Sequence, residues 1–181
     1  MIHLRPRYSK IDKLVEQLLQ QSRIRKPSVD VSKIAKAQGA EIRYELFGDD
    51  VSGVLVRQQN KNVIGVQKTQ SAVRQRFTIA HELGHLLLHE GEELHVDKSF
   101  AVNWRRSRND ESDAEPNIME IEANAFAATL LMPIEMIEAA HGSRIFDLED
   151  EGEVQRLAEL FEVSRQAMSF RLFNLFGRPS Y

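Results

Sequence analysis

Cysteine is absent from this 181-residue chain. Disulfides and thiolate metal sites are therefore excluded, and a resident metal has to be held by histidine, aspartate or glutamate. A long apolar run is missing as well: the most apolar piece, around Leu86 to Leu88, is interrupted by histidines and cannot cross a bilayer. No apolar h-region follows Met1, so the expectation is a cytoplasmic protein without leader or membrane anchor. Positive charge is not in excess. A net charge of -3 and a pI near 6.1 disfavour broad nonspecific binding to nucleic acid. With 42% hydrophobic residues the chain still buries a core, which points to one compact domain with an appendage.

What is present is concentrated in Arg76-Phe77-Thr78-Ile79-Ala80-His81-Glu82-Leu83-Gly84-His85-Leu86-Leu87-Leu88-His89. The stretch contains the histidine-glutamate-x-x-histidine pattern of zinc peptidases inside an apolar segment that reads as a helix starting at Ser71. At about 100° and 1.5 Å per residue, His81 and His85 share one face, one turn apart, and both reach a single ion. Glu82 projects beside them, placed to act on a water and not on the metal. His89 lies about 12 Å beyond His81 along the axis, too far for one ion to bind all three histidines. Gly84 costs a helix about 1 kcal/mol against alanine, which a close neighbour would explain.

Upstream, Ser9 is placed to cap a helix through Ile11, Leu14, Val15, Leu18 and Leu19, and Asp30 to cap a short one stopped at Gly39. Alternation then predicts three strands around Ile42-Tyr44-Leu46, Gly53 to Val56 and Val63 to Val66. In that order they are expected to form an antiparallel meander whose edge could take up an extended peptide. Downstream, Glu90 to Pro116 is polar and carries Trp104, with the even spacing of Val96, Phe100, Val102 and Trp104 allowing a strand at the rim of a cleft.

Asn117 is placed to cap the next helix, which offers two carboxylates, Glu120 and Glu122. They differ by about 200° around the axis, so only one faces the histidines. Glu122 is the expected third ligand, because Ala123, Ala125, Ala127 and Ala128 permit close approach there; Glu120 is the alternative. Asn124 and His89 are candidates for supporting hydrogen bonds or for an oxyanion donor, as are His95 and His141 by residue type. The last segment, Glu153 to Phe161 and Ser164 to Leu175, has the outline of a helix-turn-helix. Its acidic flank, Asp147 to Glu153, favours packing or protein docking over direct DNA binding.

The Arg76–His89 stretch, followed by Glu122-Ala123-Asn124-Ala125-Phe126-Ala127-Ala128-Thr129-Leu130-Leu131-Met132-Pro133, resembles the ImmA/IrrE family of metallo-endopeptidases. The resemblance implies an α+β fold with a zincin-like, thermolysin-like core: a small antiparallel sheet packed on the metal-binding helix, with C-terminal helices added. It implies one zinc ion per chain on His81, His85 and Glu122, with Glu82 catalytic. It also implies a helix-turn-helix repressor as the substrate, cut to derepress stress or mobile-element genes. The expected organisation is a metallopeptidase domain over 1–141 and a helical subdomain over 147–181. The rival reading is a zinc-stabilised regulatory or toxin-antitoxin protein that binds a repressor or antitoxin uncut. Membrane partners are not expected, and the oligomeric state is open.

Overall fold

The first helix, α1 (Tyr8–Gln21), opens without a side-chain cap, and Arg7 occupies the capping position. Ser9 therefore lies within the first turn and not ahead of it, contrary to expectation. The physical reason is a tertiary anchor: the Arg7 main-chain N–H is bound by the Glu122 carboxylate at 2.7 Å, which fixes where the helix begins. In this computed structural model, residues 5–58, 61–90, 94–98, 117–142, 146–147 and 150–177 are described. Ile11, Val15 and Leu18 form the buried stripe of α1. Asp30 caps α2 (Val31–Ala37) by accepting from the Lys33 N–H, and Gly39, at φ +82°, turns the chain in a left-handed conformation into β1 (Ala40–Glu45).

The sheet continues with β2 (Val51–Gln58), β3 (Lys61–Gln67) and β4 (Leu94–Lys98), in the spatial order β1-β3-β2-β4. The expected antiparallel meander is corrected: β1 pairs parallel with β3, while β2 pairs antiparallel with both β3 and β4. The β1–β2 connection must cross the end of β3 instead of making a hairpin. Gln67 holds it there, its carboxamide bonding the Phe47 N–H at 3.3 Å and the Phe47 carbonyl at 3.1 Å. The Phe47 ring meanwhile closes over Gly65, where a Cβ would lie 2.9 Å from the ring.

Helix α3 (Ala72–Leu88), capped by Ser71, packs on the sheet and against α4 (Ile118–Leu131), capped by Asn117. Gly84 lets the two helices meet, since a Cβ there would lie 3.1 Å from the Ala123 Cα and 3.1 Å from Phe126. That contact supplies the close neighbour its sequence position calls for. Helices α5 (Ile134–His141), α6 (Glu151–Phe161) and α7 (Arg165–Phe176) complete the chain. The α6–α7 pair buries Val154, Leu157, Phe161, Met168 and Leu172, with Asp150 and Ser164 as caps. Two basic groups of α7 are engaged within the protein: Arg165 pairs with Glu151, and Arg171 donates to the Met132 carbonyl. The result is a mixed α/β architecture in which a four-stranded sheet lies beside the two helices that carry the candidate ligands. Phe100, Val102, Trp104 and the acidic run from Asp110 to Glu115 lie outside the described residues. Among the described residues no helix is long and apolar enough to cross a membrane.

At the α5–α6 junction, Glu153 accepts from Arg156 and lies 2.7 Å from His141. Arg156 draws the Glu153 carboxyl down to about 2 against the opposing effect of burial, and His141 adds to the pull. A carboxyl depressed on folding stabilises above its ordinary value near 4.5 and loses that contribution as pH falls toward 2. Arg156 is half exposed, so Glu153→Gln is expected to cost only about 1 kcal/mol at pH 7. In urea unfolding series the gap from wild type should close between pH 4.5 and 2; a gap unchanged across that window would contradict the ion-pair account.

Candidate metal centre

The register of α3 places His81 and His85 one turn apart on its buried face, each 1% exposed. Their Nε2 atoms lie 3.0 Å from one another. Glu120 enters from α4, with Oε1 3.1 Å from His85 Nε2 and Oε2 3.4 Å from His81 Nε2. His95 enters from β4, where the neighbouring Leu94 and Val96 face outward, and its Nε2 lies 3.4 Å from Glu120 Oε1. Four ligand atoms from three elements thus fall within 4.8 Å of one another.

Glu122, expected as the third ligand, is not in this group. Its Oε1 accepts from the Arg7 N–H and Nε, at 2.7 and 2.9 Å, and its Oε2 from Arg7 Nη2. Oε2 also lies 3.0 Å from His89 Nε2. The two-residue step along α4 turns it away from His81 and His85, and Glu120 is the carboxylate that faces them. The signal that favours Glu120 is Asn124, one turn further on the same face of the helix. Asn124 Oδ1 lies 2.9 Å from His81 Nδ1, so the face that supports one imidazole also supplies the carboxylate. His89 borders the centre through its Nδ1, 3.2 Å from His85 Nδ1. His141 is remote from it, on Glu153.

Glu82 is fully buried against β2, with its Oε1 3.0 Å from where a Cβ of Gly53 would lie. Its charge acts on both Arg57 and His95. Arg57 in turn donates Nη2 to the carbonyls of His85 and His89, and Arg7 donates to that of Leu88, so two arginines bind the carbonyl end of α3. A positive charge is favourable there because the helix dipole places partial negative charge at that end. Neither arginine is marked by local pattern, since the contacts span 28 to 81 residues.

Burial pushes the His85 imidazolium down to about 4, so the ring is neutral near pH 7. His89 is lowered by burial too, whereas Glu120 raises His95 against the effect of its burial. For Glu120, burial acts upward, but the facing imidazoles of His81, His85 and His95 outweigh it and hold the carboxyl well below its usual range. Arg7 brings Glu122 down to about 2, against burial and with help from His89. This donor set fits a divalent metal of zinc type. His81 donates Nδ1–H to the Asn124 oxygen, which leaves its Nε2 bare and aimed at a second imidazole and a carboxylate. An arrangement of acceptors around one point is what a cation would satisfy.

The helix-borne histidine pair, the glutamate between them and the converging Glu120 define a metallopeptidase-like site. Residues 35–173 match the model of the M78 peptidase family described as the IrrE N-terminal-like domain, and the chain belongs to that family. It is 31% identical over 111 residues to the radiation response metalloprotease IrrE of Deinococcus radiodurans, a match that covers 58% of this chain and 31% of that protein. A solved Mycobacterium tuberculosis transcriptional regulator is similar in fold, with a TM-score of 0.60 at 19% identity over 94% of this chain and 48% of that one. The chain thus spans about a third of the curated relative and about half of the solved one.

Gly53 is the point at which the sheet sets the depth of Glu82. A Cβ there would meet Thr78 Cγ2 at 2.4 Å, and Thr78 is buried one turn before Glu82. Gly53→Ala should therefore destabilise by about 1–3 kcal/mol through overpacking. Pairing it with Thr78→Ser, which removes the clashing methyl, should recover most of that loss in a double-mutant cycle of urea unfolding. Additive losses would contradict the contact.

Proposed function

We propose that the chain is a zinc-dependent endopeptidase that cuts a cytoplasmic regulatory protein, with a helix-turn-helix repressor as the expected substrate. The observation that carries this reading is the buried Glu82 set beside the convergent His81, His85 and Glu120. Zinc is assigned to His81, His85 and Glu120, the last replacing Glu122 on geometry. Bound there, zinc would supply Lewis-acid activation of a water and of the scissile carbonyl. Glu82 takes the proton from the attacking water and delivers it to the leaving amine. The outer edge of β4, with Leu94 and Val96 exposed, offers main-chain groups to an extended substrate beside the centre, as a zincin-like arrangement requires. His95, on that strand, is the candidate donor to the developing oxyanion. A stress-linked role is proposed from the radiation response relative, with the α6–α7 pair as a docking unit and not a DNA reader.

One observation favours a second reading. Counting His95, four protein donors are present, enough to close a tetrahedral site and leave no open position. The metal would then be structural, and the chain would bind a repressor or antitoxin uncut.

Intact-mass analysis of a helix-turn-helix repressor incubated with the chain separates the two. Zinc-loaded wild type should yield paired fragments, and Glu82→Gln, with zinc retained, should cut at least about 10³-fold more slowly. His95→Phe should leave zinc affinity within about threefold while lowering kcat about 10²-fold. An uncut repressor that co-purifies with zinc-loaded wild type and Glu82→Gln, together with a large loss of zinc affinity in His95→Phe, would establish the binding reading instead.

A further inference from the structure

The Glu122 carboxylate is 1% exposed, bound from three directions, and lies outside the group of converging ligand atoms. Such a group needs a reason to be buried, and its second neighbour supplies one. From Arg7 the contacts run to Glu122, from Glu122 Oε2 to His89 Nε2 at 3.0 Å, and from His89 Nδ1 to His85 Nδ1 at 3.2 Å. His85 Nε2 then faces Glu120 and His81.

Proton positions along this line follow from one end. Ionised beside Arg7, Glu122 can only accept, so His89 carries its proton on Nε2. A neutral His89 is then bare at Nδ1, and the only way two Nδ1 atoms share a hydrogen bond is for His85 to donate Nδ1–H. That leaves His85 Nε2 bare toward the centre. His81 reaches the same state by a shorter route, through Asn124.

We propose that Arg7, Glu122 and His89 form a hydrogen-bond relay that fixes His85 in its metal-binding tautomer, so that docking of the segment before α1 sets the affinity of the centre for metal. Coupling is reciprocal: metal at the centre tightens the docking of Arg7 by the same factor that docked Arg7 tightens the metal. Arg7 reinforces the link by donating to the Leu88 carbonyl, one residue before His89. His89 and Glu122 are in this sense positioning residues, acting on the metal only through His85. The inference rests on the zinc reading of the centre.

The test combines two measurements on the whole chain. Zinc affinity is read by competition with a chromogenic chelator, and histidine tautomers by long-range proton–nitrogen correlation spectra of 15N-histidine-labelled protein at pH 7. Wild type should bind zinc and show Nδ1–H on His85 and Nε2–H on His89. His89→Phe, which cannot accept from His85, should weaken zinc by about 10–100-fold. His89→Gln offers an amide oxygen, as Asn124 does to His81, and should restore affinity to within about threefold. Arg7→Gln, at the partly exposed end of the relay, should weaken zinc by about tenfold and carries the test if His89→Phe fails to fold. Zinc binding by wild type with equal affinity in all three variants, or with His85 protonated on Nε2 in the metal-free protein, would overturn the relay alone. No zinc binding by wild type would overturn the metal reading beneath it.

Discussion

Two carboxylates two residues apart on one helix, Glu122 buried and Glu120 partly buried, cannot look the same way, and the interior of this protein is arranged around that division. Glu120 turns toward three imidazoles; Glu122 turns toward Arg7 and His89. A buried charge without a partner is costly, so each carboxylate requires its own set of donors. One set makes the candidate metal centre. The other ties the start of α1 to the end of α3, and through His89 it meets the first set at His85.

Three close approaches keep these sets in register. Gly84 brings α3 onto α4 at Ala123, Gly53 brings it onto β2 at Thr78 and Glu82, and the arginines at 7 and 57 hold its last carbonyls. The first two depend on the absence of a side chain, which makes them sensitive to a single methyl. The third satisfies carbonyls that a helix end leaves without internal partners. Together they place His81, Glu82 and His85 at a depth where burial keeps the His85 imidazole neutral and the Glu82 carboxylate is shielded from bulk water, the condition general-base chemistry needs.

Features set by local sequence were legible in the chain. Asp30, Ser71, Asn117 and Ser164 each accept the main-chain N–H expected of a cap, because a cap acts within three residues. The spacing of His81 and His85 needed only the helical repeat. Features set by contacts across the chain were not legible. Ser9 yielded its capping place to Arg7 because Glu122, 115 residues away, takes the Arg7 amide. The meander gave way to a parallel β1–β3 pair because Gln67 and Phe47 carry the connection across the end of β3. The alanine-rich flank of Glu122 pointed to the carboxylate that faces Arg7 and not to the one that faces His81 and His85, for a related reason: small residues allow close approach, but the direction of a side chain is set by its phase, and Asn124 marked the phase of Glu120.

The most direct measurement of the central claim is a crystal structure of the zinc-loaded chain with anomalous data on both sides of the zinc edge. The account predicts a single anomalous peak per chain, bounded by His81 Nε2, His85 Nε2 and a Glu120 oxygen, with Glu122 still held by Arg7. A peak coordinated by Glu122, or no peak between the two helices, would contradict it.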